Sequence, residues 1–195
     1  LSTQNYEKLL GRRVHRDILE EGYFYSSDLE DIRTEPKNYK FSRPWGVPVR
    51  YHDFSEYKAK ISPDIIEFHL SYSDLDLNIE EYLKEEYQCG FVVHAPELFS
   101  ESRLMDLASP NEEYRQFSVK ETQRVINITR SLKRFFPNTN RPMIVANIGG
   151  FTMDELLPNN QLNEYYERFG KSLLELDKEG IELIPQTMAP FPWHF

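Results

Sequence analysis

From residue 47 onward, short apolar runs alternate with stretches in which apolar positions recur every three or four residues. The runs predict strands over 47–54, 64–70, 90–94, 143–147 and 181–187, with Ile65-Ile66 as a buried pair in the second. The amphipathic stretches predict helices over 55–61, 78–87, 118–135 and 162–178. In the third helix Val119, Val125, Ile128 and Leu132 form the stripe, and Pro137 and the polar residues after it stop the helix. Gly180 is the expected C-terminal cap of the last helix. The order is βαβαβαβαβ. Strands joined by helical crossovers lie parallel, with right-handed connections. The repeat length suits a doubly wound sheet or a (β/α)8 barrel. No Gly-x-Gly-x-x-Gly follows the first strand, which argues against a dinucleotide site. Gly149-Gly150 is a weak phosphate-loop signal whose plainer reading is a turn. A whole barrel needs on the order of 250 residues, so five units predict a partial barrel. Its bare edges call for further strands or a partner copy.

The pattern before residue 47 is different. Residues 9–18 read as a short amphipathic strand, Glu20-Glu21-Gly22 as a turn with Gly22 able to take a positive φ, and Phe24-Tyr25 as a second short strand. This hairpin-like unit, 1–31, is too small to bury a core alone. Residues 32–46 are polar and interrupted by Pro36 and Pro44, which fits a linker partly ordered by Trp45. Residues 47–195 then form the main α/β domain. Leu1 is not Met and the chain stops in Ala-Pro-Phe-Pro-Trp-His-Phe, which suggests a piece of a longer protein.

Charge narrows the classes of partner. Thirty-two acids against twenty-three bases give a net charge of −9. That argues against nucleic acid, whose affinity for proteins comes largely from basic neutralisation of phosphates, and against anionic membranes. One cysteine, Cys89, excludes an internal disulfide and a cysteine-rich zinc site, and fits a reducing cytoplasm. No run approaches a membrane span and no signal segment opens the chain.

The strand ends carry the candidate chemistry. In a barrel the active groups sit at the C-terminal ends of the strands. Here those ends hold Tyr51-His52-Asp53, Glu67 and His69 on one face by their period of two, His94-Ala95-Pro96-Glu97, Asn147-Ile148-Gly149 and Gln186-Thr187. Imidazoles and carboxylates converging from several strands suit a divalent metal or a sugar. Each has a plainer reading. His52 and Asp53 could cap a helix, His69 could be a satisfied core histidine, and Asn147 could shape a turn. Glu67 is harder to dismiss, because a carboxylate in an apolar strand needs a partner. His15 and His194 read as surface residues, and Tyr165, Tyr166 and Phe169 as packing.

Two resemblances extend this reading. Asn5-Tyr6-Glu7-Lys8-Leu9-Leu10-Gly11-Arg12, then Arg16-Asp17-Ile18, Gly22 and Ser27-Asp28-Leu29, resembles the C-terminal end of the antifreeze-like (SAF) domain of sialic acid synthases. That family condenses phosphoenolpyruvate with an N-acyl-mannosamine-type sugar, and its catalytic barrel would precede Leu1. Val92-Val93-His94-Ala95-Pro96-Glu97, Leu104-Met105-Asp106-Leu107-Ala108-Ser109-Pro110, Glu112-Glu113 and Ser118-Val119 resemble the xylose isomerase-like barrel superfamily, which includes sugar-phosphate isomerases and epimerases and the AP endonucleases. By that resemblance His94 matches a metal-binding histidine and Glu67-Phe68-His69 the strand-two pattern. Asn147 stands where His is common, and Pro185-Gln186 stand where a metal carboxylate is expected.

Together these resemblances imply a sugar isomerase or epimerase module joined to a sialic (nonulosonic) acid synthase-like protein. Glu67 and His94 are then the expected catalytic residues, and the ligands of a possible divalent metal. His52, His69, Glu97, Asn147 and Gln186 are the expected substrate-binding residues. The expected partners are a small sugar or sugar phosphate and further copies of the chain. The other possibility is a degenerate barrel that binds a sugar or organises the oligomer without catalysis.

Overall fold

The computed structural model describes residues 6–7, 9–29, 41–152 and 156–188. The chain divides into two compact units, Leu1–Lys37 and Asn38–Phe195. His194 and most of the expected linker lie outside the described residues.

The described part of the first unit has no strand, contrary to the hairpin expectation; its regular structure is 3-10, including the turn over Ser26–Asp28. A single backbone bond, from His15 N–H to the Asp28 carbonyl at 3.0 Å, links its two arms. One bond does not make a ladder. The arms are held instead by the Arg16 guanidinium, which grips both Asp28 carboxylate oxygens at 2.6 and 3.0 Å. The turn at 20–22 forms, but Glu21 takes the positive φ of 62° and Gly22 does not.

The second unit is an α/β fold. Its sheet contains β1 (Gly46–Val49), β2 (Ile65–His69), β3 (Gly90–His94), β4 (Met143–Asn147) and β5 (Glu182–Gln186). All neighbours are parallel and the order is β1-β2-β3-β4-β5. Sequential order has no switch point, which distinguishes this sheet from a doubly wound one. Three α-helices accompany it: α1 (Tyr51–Lys60), α2 (Glu112–Leu132) and α3 (Asn159–Glu175).

The helix boundaries correct the sequence reading at several points. β1 ends at Val49, and α1 starts at Tyr51 rather than residue 55. The Asp53 carboxylate accepts from the Arg50 amide at 2.7 Å, so Tyr51-His52-Asp53 form the first helical turn and not a strand end. α2 starts at Glu112 rather than 118, because the Asn111 side chain caps the Tyr114 amide at 3.0 Å. Gly180 does not cap α3, which ends at Glu175. Its φ of 74° serves the turn closed by Ile181 N–H on the Lys178 carbonyl.

The helix expected over 78–87 is absent, and two 3-10 turns, Tyr72–Asp76 and Ile79–Glu81, occupy the β2–β3 connection. Ile79, Leu83 and Tyr87 have helical spacing and are buried, but the Tyr87 amide donates to the Phe135 carbonyl at 2.7 Å, so a tertiary bond replaces the next helical one.

Burial separates the two faces of the sheet. Ile66, Phe68, Phe91, Val93, Ile144 and Ala146 share one core with Phe54 of α1, Val125, Ile126 and Leu132 of α2, and Phe169 and Leu173 of α3. All three helices therefore cover the same face. Among the described residues the other face is uncovered: Ile65 and Met143 on it are 36% and 39% exposed. Ile65 is thus not the buried partner of Ile66 that their adjacency suggested, because neighbours in a strand point to opposite faces. β1 and β5 form the two edges. No helix of the described residues is long and apolar enough to cross a membrane.

Candidate functional site

The uncovered face carries most of the chemistry. Glu67 and His69 alternate with the buried Ile66 and Phe68, so both point to that face, as the period of two requires. His94 sits beside His69 in register, and the two rings meet edge to face with centroids 4.2 Å apart. His94 Nε2 lies 2.8 Å from Gln186 Oε1, and His94 Nδ1 lies 3.0 Å from the Ala95 carbonyl oxygen. A carbonyl only accepts, so Nδ1 carries a proton and donates to it. His94 belongs to β3 and Gln186 to β5, so this contact passes over β4, where Val145 pairs with His94 in register.

Burial, reinforced by the neighbouring His94, lowers the His69 pKa below the usual imidazole value; Glu67 and Glu97 oppose the shift. His69 is therefore neutral at neutral pH, with one N–H to donate and one lone pair to accept.

The structure brings Glu67, His69, His94 and Gln186 onto one face at the C-terminal ends of β2, β3 and β5. Asn147 is buried and in register with Gln186, but its side-chain oxygen accepts from the Gly149 amide at 3.1 Å, in the turn geometry that Asn favours. Glu97 is exposed beyond the end of β3, and its backbone carbonyl accepts from Met105. His52 is exposed in the first turn of α1, and no hydrogen bond or ring contact joins it to the histidine pair.

Arg50 and Asp74 went unnoticed in the sequence. Arg50 follows β1 and donates to the Asp74 carboxylate at 2.9 Å. Asp74 also accepts from the Ser71 amide and hydroxyl at 2.7 and 2.8 Å. The pair ties the end of β1 to the β2–β3 connection. Its signal was positional: an arginine directly after a strand, where barrel chemistry gathers.

Among the described residues no three His, Cys, Asp or Glu side chains gather into a group that could hold a metal ion. Glu67 and His94 are two candidate ligands, whereas catalytic zinc takes three from the protein. The nitrogen of His94 that would ligate faces the Gln186 amide instead.

Comparison with protein-family models, with curated proteins and with solved structures finds no match for this chain.

Proposed function

We propose that β1–β5 are five units of a xylose isomerase-like (β/α)8 barrel, and that the uncovered face is the floor of a sugar site. The module would act as a sugar or sugar-phosphate isomerase or epimerase in nonulosonic acid biosynthesis. One observation carries the reading: His94 and Gln186 meet across β4. In a flat sheet, strands two apart lie about 9–10 Å from each other. Side chains from such strands come within 2.8 Å most readily on the concave side of a sheet that curls. The sequential strand order and the helices on one face suit the same curl. Further strands, or another copy of the chain, would cover the edges at β1 and β5.

Isomerisation moves a proton next to a carbonyl. It needs a base near the carbon and a donor for the oxygen that gains charge. Glu67, an acceptor when ionised, is the base. The neutral ring of His69 supplies an N–H to the oxygen. Gln186, His94 and the Asn147 NH2 hold hydroxyls. No step runs through a metal.

The test is hydrogen exchange in D2O with aldose and ketose phosphates, read by proton NMR of the sugar. Deuterium enters the carbon beside the carbonyl, and Glu67→Gln slows this by about 10²-fold or more. His52→Ala leaves it unchanged. Exchange with none of the sugars, or full exchange in both Glu67→Gln and His94→Ala, would refute catalysis here.

The second reading is a non-catalytic sugar-binding barrel. It is favoured by the fact that both His94 ring nitrogens already have protein partners, Nδ1 the Ala95 carbonyl and Nε2 the Gln186 side-chain amide. On that reading a sugar binds without exchange and His94→Ala weakens the binding.

A further inference from the structure

Asp106 lies in the β3–α2 connection and is 7% exposed. Its Oδ1 accepts from the Ala108 and Gly150 amides at 3.1 and 3.0 Å, and the Ser109 hydroxyl also bonds to the carboxyl. Its own amide donates to Ser118 Oγ of α2 at 3.0 Å. Gly149, at φ 92°, packs so closely that a Cβ there would fall on the Asp106 carboxylate. The β4–α3 connection therefore fixes this side chain, and α2 fixes its backbone amide.

Among the described residues no Lys, Arg or His forms an ion pair with Asp106. Arg168, whose charge reaches it, turns its Nε to the Ala108 carbonyl at 3.2 Å and pairs with Glu164 at 3.5 Å. Burial accordingly raises the Asp106 pKa above the usual carboxylate range, and its charge adds to the burial that raises the phenols of Tyr114 and Tyr165. An asparagine would accept from the same two amides with no charge to bury. The unpaired charge is therefore what needs an explanation, since buried charges in proteins are normally paired.

The same carboxyl lines a cleft of about 380 Å³ with Leu104, Ser109, Asn111, Tyr114 and Phe151. That volume suits a small molecule. Among the described lining residues are the rings of Tyr114 and Phe151 and the Asp106 carboxyl, and none of them is basic. Such a lining disfavours an anion. It suits a cation, which the carboxylate pairs and the faces of the rings attract. The net charge of −9 concentrates cations near the chain.

We propose that this cleft binds a small molecule bearing a protonated amine, its ammonium hydrogen-bonded to Asp106 and shielded by Tyr114 and Phe151. None of the lining residues belongs to the uncovered sheet face, so this site stands independently of the sugar reading.

The test maps amide chemical shifts of the whole chain on titration with propylamine, ethanolamine and glucosamine, each beside its uncharged counterpart: propanol, ethylene glycol and glucose. The amines shift Ala108, Ser109 and Gly150 saturably at millimolar concentration, and the uncharged molecules do not. Asp106→Asn keeps the backbone hydrogen bonds, leaves the rest of the spectrum unchanged, and weakens the response at least tenfold. Phe151→Leu, which keeps bulk without a ring face, weakens it as well. Equal responses to amine and uncharged counterpart, undiminished binding by Asp106→Asn, or no response of these amides to any amine would overturn the proposal. Shifts at His94 or Gln186 report on the sugar site instead, so the two readings fail separately.

Discussion

Tyr51 shows how much one polar atom can weigh. It is 1% exposed, and its ring packs on Phe68 and Tyr82 with centroids 5.4 and 5.9 Å away. Its hydroxyl is buried with no hydrogen-bond partner. Burial, and then the charge of Asp74, push its pKa far above the usual phenol value. A buried polar group left unpaired costs about 1–3 kcal/mol. Tyr51→Phe keeps the ring contacts and removes that group, so it should leave stability unchanged or raise it by about 1 kcal/mol. The check is the urea midpoint; a clear fall would show that the hydroxyl is bonded after all. Residue by residue, the sequence revealed the groups with a simple period. Glu67 and His69 share a face because strands alternate. Asp106 was legible only as part of a motif, because its burial depends on Gly149-Gly150, which lie more than forty residues further on. Asp53 was read at a strand end because nothing in a four-residue strand marks where the helix takes over.

Arg115 joins two elements. It is fully buried, donates to Ser172 of α3 at 2.8 Å, and binds the carboxylates of Glu112 on α2 and Glu175 on α3 at 2.7 and 2.9 Å. Ser172 in turn donates to the Leu107 carbonyl at 2.6 Å, which fastens α3 to the β3–α2 connection. The Arg115 guanidinium, aided by Lys171 and Gln116, holds the Glu112 carboxyl well below its usual range, and Arg115 lowers Glu175 as well. Both carboxyls thus have folded-state pKa values below their unfolded ones. Their contribution is present above about pH 4.3, the unfolded glutamate value, and is lost as pH falls through the folded ones. Arg115→Met keeps much of the bulk and leaves two carboxylates that water can reach. It should lower stability at neutral pH by about 2 kcal/mol. The loss of stability on acidification should also be shallower than in the unmodified chain. Parallel curves of urea midpoint against pH would contradict this role. At this scale the strands were legible, because each is a short apolar run between polar turns. The β2–β3 connection was not: its helical spacing is real, but Tyr87 bonds to Phe135, about fifty residues away in sequence.

At the scale of the whole second unit, a sheet that runs in sequence order with every helix on one face leaves its other face for something else. The parallel order followed from the alternation of runs and helices. Which strand ends meet did not, because the contact of His94 with Gln186 depends on how the sheet curves and not on any spacing along the chain. On the proposed reading this face is one sugar site. That reading is tested most directly by titrating ¹³C-histidine-labelled protein with aldose and ketose phosphates and following the imidazole signals. The chain has five histidines, so the spectrum is small and carries its own controls. The rings of His69 and His94 should shift together and saturate, while those of His15 and His52 stay still. Still signals throughout, or equal drift of all the rings, would contradict it.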